Sequence, residues 1–140
     1  MIYVPDASVV IKWYVPEVRQ AQAQALIAQA ADMQAPSFLL IEIASILWKK
    51  HRRGEFPAEI AGLILEDVRR LFADALDAGA LQDRALTLAI ALDHPVYDCL
   101  YLAAAEALDG VVVTDDRRFH AAVAAGGSAE RIALLEALSP

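Results

Sequence analysis

The spacing of hydrophobic and polar residues along the chain predicts strands that alternate with helices. Two short β-prone runs, 2–5 and 110–114, are almost continuously apolar, which is typical of strands buried in a parallel sheet. Two further short strands are predicted at 33–36 and 131–135. Longer segments without an internal breaker predict helices over 8–14, 18–31, 38–53, 57–71, 81–92, 96–108 and 117–125.

Residues that begin and end helices support this division. Ser37 is placed as an N-cap, Gly54 follows the predicted end of the third helix, and Pro57 and Pro95 stand at helix entrances. The 140 residues suit one domain, and no Gly/Pro/Ser-rich linker divides them. We therefore predict a single α/β domain over 1–140, with a small parallel central sheet flanked by helices.

Composition excludes several classes of protein. Hydrophobic residues make up 58% of the chain and the mean hydropathy is +0.40, too apolar for a disordered chain. No apolar run approaches the ~20 residues of a membrane span, and the first residues do not resemble a signal peptide. We therefore expect a cytoplasmic protein with no membrane partner. A single cysteine, Cys99, excludes a disulfide framework and leaves oxygen or histidine ligands for any metal.

The net charge bears on possible partners. Twelve Lys and Arg against nineteen Asp and Glu give −7, a field that repels phosphate and argues against a general nucleic-acid coat protein. Nucleic acid can still bind through a local basic patch or a metal ion, and the acidity equally suits a basic protein partner.

Three acidic residues follow the two best predicted strands. Asp6 ends the first, and Asp115 and Asp116 end the strand at 110–114. Ligands of open parallel sheets collect beyond the carboxyl ends of the strands. Each aspartate could instead serve only as the N-cap of the helix that follows.

Two further acids lie on predicted apolar helix faces. Glu42 has Phe38, Leu39, Ser45 and Ile46 as helical neighbours, and Asp98 is placed beside Tyr101 and Leu102. A buried carboxylate needs a cation, a hydrogen-bond network or a catalytic role; a structural salt bridge is the simpler explanation. If the fold brings these acids together, their repulsion favours a hard divalent cation such as Mg²⁺ or Mn²⁺.

Four segments in order along the chain resemble the PIN domain, specifically its VapC-type toxin branch. They are Val4-Pro5-Asp6-Ala7-Ser8, the apolar helix around Glu42, the stretch from His94 to Ala103 with Tyr97-Asp98-Cys99-Leu100-Tyr101, and the stretch from Val113 to Phe119.

This resemblance implies a Mg²⁺- or Mn²⁺-dependent ribonuclease that is toxic until a VapB-type antitoxin binds it, and a homodimer. The matching acids are Asp6, Glu42, Asp98 and Asp116. Ser8 and Thr114 are their polar neighbours, and Asp115 is a second acid where the family varies.

Metal-assisted phosphodiester hydrolysis assigns different roles to these acids. Asp6, Asp98 and Asp116 are expected to be direct or water-mediated metal ligands, while Glu42 is a ligand or positions the attacking water. The histidines follow no metal-ligand spacing, so His51, His94 and His120 are interpreted as surface or helix-end residues. Cys99 is interpreted as a small core residue.

RNA contacts are expected from basic residues near these acids. Arg117 and Arg118 adjoin Asp116; Lys12 is a weaker candidate; and Lys49 belongs to the basic run 49–53, which could instead complement a helix C-terminus. Five apolar residues could contribute to a dimer or antitoxin surface, although core packing is the favoured explanation: Trp13, Tyr14, Phe56, Leu63 and Phe72.

Two other functions fit the same residues. One is a PIN-like binding module with little nuclease activity that holds an antitoxin and assists operator binding, against which the presence of all four acids argues. The other is a metal-dependent DNase or flap nuclease, which usually requires a larger chain with its own duplex-binding elements.

Overall fold

A computed structural model describes residues 1–29 and 32–139. These residues form three strands and seven α-helices, six of which lie between the first and second strands, and three short 3₁₀ turns at Ile11–Trp13, Ala129–Arg131 and Leu135–Ala137. In chain order the elements are β1 (Tyr3–Pro5), α1 (Ala7–Val10), α2 (Gln20–Ala28), α3 (Phe38–Arg52), α4 (Ala58–Leu71), α5 (Ala78–Leu92), α6 (Val96–Leu108), β2 (Val111–Thr114), α7 (Arg117–Ala125) and β3 (Ile132–Leu134).

The three strands form one parallel sheet in the order β1-β2-β3, which confirms the predicted α/β class. Pro5 of β1 lies opposite Val113 of β2, and Thr114 lies opposite Leu134 of β3. Because the strands are parallel and β1 and β2 end at neighbouring positions, the residues that follow both strands meet at one edge of the sheet.

The hydrophobic core surrounds the central strand β2 and the first half of α6. Val112, Val113, Tyr101 and Phe119 are completely buried. The continuous β-branched sequence of β2 therefore reflects packing on both faces of the sheet. This buried framework fixes the ends of β1, β2 and α6, from which the candidate site is built.

Several predicted boundaries differ from the structure. The segment 33–36 forms only isolated bridges, one between Tyr3 and Met33 and one between Pro36 and Leu76, so the predicted strand there was wrong. Ser37 does not cap α3; its Oγ instead accepts a hydrogen bond from the Ala78 N–H at 3.0 Å. The helix predicted over 18–31 spans Gln20–Ala28, and positions 30 and 31 lie outside the described residues.

The apolar residues that could belong to the core or to a partner surface differ in their exposure. Phe72 is buried and stacks against Trp13 with ring centroids 6.2 Å apart. Leu63 on α4, in contrast, is 64% exposed. Across 1–29 and 32–139, no helix combines the length and the apolar character needed to cross a membrane.

Candidate active site

Asp6 is the most deeply buried acid at the sheet edge. It caps α1, accepting hydrogen bonds on Oδ1 from the Ser8 N–H at 3.0 Å and from the Ser8 hydroxyl. The Thr114 hydroxyl donates to Oδ2. Burial raises the pKa of Asp6 to about 7, and the nearby charges of Asp98 and Glu42 act in the same direction, against the hydrogen bonds. The hydrogen bonds therefore orient the Asp6 carboxyl, but they do not offset the cost of burying its negative charge.

Glu42 faces the same edge from α3. Its neighbours in the helix are apolar, as predicted, and its side chain is half-buried. The hydroxyl of the completely buried Tyr101 donates to Glu42 Oε1. Burial raises the pKa of Glu42, and Asp98 adds to that effect while the Tyr101 hydrogen bond opposes it. Tyr101 was expected to lie beside Asp98, but its hydroxyl donates its hydrogen bond to Glu42 instead.

Asp98 stands in the first turn of α6 and is partly buried, as predicted. His94 Nε2 lies 2.7 Å from Asp98 Oδ2, and the histidine side chain is only 11% exposed. His94 is therefore a helix-end residue, as one half of the interpretation had it, but not a surface residue, and the i,i+4 spacing of His94 and Asp98 carried a signal for this pair. Cys99 is buried as predicted, and burial raises the pKa of its thiol to about 11.

Asp116 adjoins these acids through Thr114. The Asp116 N–H donates to Thr114 Oγ1 at 3.0 Å, and the same hydroxyl donates to Asp6. Asp116 Oδ1 accepts from the N–H groups of Arg118 and Phe119 at 2.9 and 3.2 Å, so it caps α7. The cap leaves the second carboxylate oxygen available for another partner.

Asp115 points away from this network. Arg19 donates two hydrogen bonds to its carboxylate, one of them 3.0 Å from Nη2 to Oδ2, and Lys12 Nζ lies 3.3 Å from Oδ2. Burial would raise the pKa of Asp115, but these cations lower it. Only its backbone joins the site, through an N–H bond to Ser8 Oγ at 3.0 Å. Nothing in the sequence identified Arg19 as its partner.

The candidate RNA-binding residues have different surroundings. Lys12 is buried between Asp115 and Glu17, so its ammonium is already paired. Arg117 is bound to Glu136 at 2.7 Å, whereas Arg118 is exposed. Exposed Lys49 contributes to a shallow pocket that opens beside Ser8 and Asp115. Its charged lining consists of four cations, Lys12, Lys49, Lys50 and Arg53, and two acids, Glu17 and Asp115.

The donor chemistry of the site fits a hard divalent cation. Asp6, Glu42 and Asp98 offer only carboxylate oxygens, and each lies close enough to another for its charge to raise a neighbouring pKa. Within the described ranges, no three His, Cys, Asp or Glu side chains form a ready ligand group. Mg²⁺ suits such an open arrangement, because it binds through one or two carboxylates and retains several waters.

Comparison with known proteins places the chain in a family. The family model of the PIN domain matches residues 3–125. Ribonuclease VapC3 of Pyrobaculum aerophilum is 37% identical over 124 residues, which are 84% of this chain and 92% of that protein. The crystal structure of PAE2754 from Pyrobaculum aerophilum superposes with a TM-score of 0.72 at 25% identity, covering 98% of this chain and 85% of that one. The resemblance read from the sequence is thereby confirmed, and the chain belongs to the VapC-type branch of the PIN-domain family.

Proposed function

We propose that this chain is a metal-dependent endoribonuclease and the toxin of a VapBC-type pair. The observation that carries the proposal is the group of acids at the carboxyl ends of β1 and β2, where Asp6 has a pKa of about 7 and is flanked by Asp98 and Glu42. Such a concentration of carboxylates is costly to fold unless a cation compensates it. The name of the relative, Ribonuclease VapC3, supports RNA as the substrate.

Asp6 and Asp98 would hold the cation, Mg²⁺ or Mn²⁺, and Asp116 would contribute the carboxylate oxygen that is not used in its helix cap. When bound, the ion polarises the phosphate and lowers the pKa of water. Ser8 and Thr114 keep both oxygens of Asp6 oriented by their hydrogen bonds. These bonds preorganise the negative charge before RNA arrives.

Glu42 takes the proton of the attacking water. Tyr101 holds Oε1 by its hydrogen bond, and Oε2 is the atom that we assign as the proton acceptor. Burial raises the pKa of Glu42 and so makes its carboxylate a better proton acceptor than an exposed glutamate. No serine or cysteine nucleophile is required, which agrees with the raised pKa of the buried Cys99 thiol.

The RNA strand enters over the pocket beside Ser8. The four cations against two acids in its lining give this area a local positive charge in a chain of −7. Lys49 and Arg53 are the exposed cations of this pocket, while Lys12 and Lys50 are buried. Lys12 therefore supports the pocket rather than contacting phosphate directly.

We expect Lys49→Ala to weaken RNA binding without slowing the chemical step. KM for RNA should rise about threefold to tenfold, and the slope of log affinity against log salt should shrink by about 0.7, as for loss of one single-strand phosphate contact. Steady-state cleavage over a salt series measures both. Arg69→Ala, which removes an exposed cation of α4, is the matched control; equal effects of the two variants would mean that the loss reflects net charge and not a phosphate contact by Lys49.

The partners follow from the same proposal. A VapB-type antitoxin inhibits the enzyme, and its basic residues complement the −7 charge of this chain. An apolar groove between α3 and α4, with Trp48 54% exposed at its edge, is the surface we assign to the antitoxin. A second copy of the chain completes a homodimer.

The experiment that tests the proposed function is metal removal. Purified chain freed of antitoxin should cleave single-stranded RNA with Mg²⁺ or Mn²⁺, and EDTA should reduce cleavage to the level of an Asp98→Asn preparation purified in parallel. That variant keeps the size of the side chain and reveals any contaminating nuclease. Cleavage at full rate in EDTA, well above the Asp98→Asn background, contradicts the metal-dependent mechanism; a chain that binds antitoxin but never cleaves RNA is instead a binding module.

A further inference from the structure

His94 is held more rigidly than its position in a short connection suggests. It lies between α5 and α6, and its backbone N–H donates to Ala89 O at 3.1 Å. Its ring stacks on Phe119, with centroids 5.1 Å apart and planes 16° from parallel. Because Phe119 is completely buried, the imidazole packs against a residue of the hydrophobic core.

This fixed ring makes one polar contact, to an acid of the candidate site. His94 Nε2 lies 2.7 Å from Asp98 Oδ2, within hydrogen-bond distance. A carboxylate in the first turn of a helix can otherwise rotate toward the free N–H groups there. The imidazole therefore selects one orientation of Asp98, and Asp98 is only partly buried, with 27% of its side chain exposed.

Phe119 connects this contact to a second acid. Asp116 Oδ1 accepts the Phe119 N–H at 3.2 Å, while the Phe119 ring supports His94. The ring of Phe119 thus supports the partner of Asp98, while its backbone N–H takes part in the cap of α7.

We propose that His94 is a positioning residue that aims the Asp98 carboxylate at the divalent cation. The inference rests on the proposed function, since it assigns the site a cation. Residues that hydrogen-bond to metal ligands orient them, and their loss typically weakens metal affinity about 10–100-fold. A purely structural histidine at the start of a helix would change stability and leave metal affinity unaltered.

The test is Mn²⁺ affinity, measured by electron paramagnetic resonance or calorimetry without RNA, together with urea unfolding in EDTA. His94→Ala should weaken Mn²⁺ binding at least about tenfold. His94→Gln should restore most of the affinity, because its amide nitrogen reaches the position of Nε2, whereas the shorter His94→Asn should not. Arg84→Ala is the control, since it breaks an ion pair between α5 and α6, Arg84 to Glu106 at 2.8 Å, away from the acids.

Each outcome decides one question. Unchanged Mn²⁺ affinity in His94→Ala, or equal affinity in the Gln and Asn variants, overturns the role of His94. If Arg84→Ala loses as much affinity as His94→Ala at equal loss of stability, the effect is structural and the inference is again overturned. A wild type that binds Mn²⁺ but cleaves no RNA overturns the ribonuclease proposal alone, and one that binds no Mn²⁺ overturns both.

Discussion

Asp6→Asn should lower RNA cleavage at least about 100-fold, equivalent to about 2.7 kcal/mol of transition-state stabilisation. The substitution keeps the shape of the side chain and its acceptor toward the Ser8 N–H, but removes the negative charge from the most buried acid of the site. Single-turnover cleavage at saturating Mg²⁺ measures this loss directly. Activity within about threefold of wild type would mean that Asp6 only caps α1.

The same substitution should stabilise the metal-free protein above neutral pH. The folded pKa of Asp6, about 7, exceeds the unfolded value of 3.8, so the folded state binds more protons between these two values. The free energy of unfolding therefore falls as pH rises through this window and levels off above it. The total decrease is up to about 4 kcal/mol for a wholly buried carboxyl. Glu42, whose pKa is also raised by burial, adds to the same trend.

Urea unfolding in EDTA at pH 5 and pH 8 measures this effect. Asp6→Asn should exceed wild type by only part of this amount at the lower pH and by the full amount at the higher one, since asparagine resembles the protonated acid. Asp83→Asn on the exposed face of α5 removes one charge elsewhere and controls for net charge. A variant less stable than wild type at both pH values would show that the Asp6 charge is already compensated within the folded chain.

Local pattern was sufficient to predict the acids but not their partners. Glu42 and Asp98 were expected to be partly buried because their neighbours three and four residues away are apolar, and helical geometry alone carries that inference. The position of the site at one edge of the sheet was predicted in a similar way, because aspartates that follow two parallel strands lie at the same edge. The Asp6–Thr114 bond depends only on the register of β1 and β2.

Contacts between distant segments were beyond such reasoning. Arg19 binds Asp115, which lies 96 positions later in the sequence. Arg19 itself has a left-handed backbone conformation, with φ 65°, and directly precedes α2. Lys12 was named as a weaker candidate for an RNA contact, yet its buried ammonium is paired with Glu17 and Asp115. The segment 33–36 has strand-like composition, but each of its ends pairs with a different part of the chain. Tertiary pairing thus decides each of these cases.

The two acids that follow β2 have different partners. Asp115 faces Arg19 and Lys12, and its carboxylate is mostly buried with them. Asp116 faces the opposite way, capping α7 beside Thr114. This agrees with the alternation of consecutive side chains at the end of a strand; the choice of Asp116 over Asp115 came from the family resemblance.

Asp115→Asn should therefore affect stability more than cleavage. It deprives Lys12, whose side chain is 6% exposed, of one of its two anionic partners. Leaving a buried cation partly uncompensated costs about 1–3 kcal/mol. The lowered pKa of Asp115 means that its contribution is present above the unfolded pKa and is lost as pH falls through the folded one, so the difference from wild type should shrink in acid. Cleavage per folded molecule should stay within about threefold of wild type.

Asp116→Asn should show the reverse pattern, with cleavage lowered at least about tenfold, or about 1.4 kcal/mol, and little change in stability. Asparagine is as good an N-cap as aspartate, so the bonds to the Arg118 and Phe119 N–H groups persist while the charge on the uncapped oxygen is lost. Asp77→Asn, the same change at the exposed N-cap of α5, controls for capping and net charge. The variants are compared by their cleavage rates at saturating and at limiting Mg²⁺. Each rate is normalised to the folded fraction that urea unfolding gives. A severe cleavage defect in Asp115→Asn beside near-normal cleavage in Asp116→Asn would assign the catalytic role to the other acid, because the ion pairs with Arg19 and Lys12 would then have to open for the reaction.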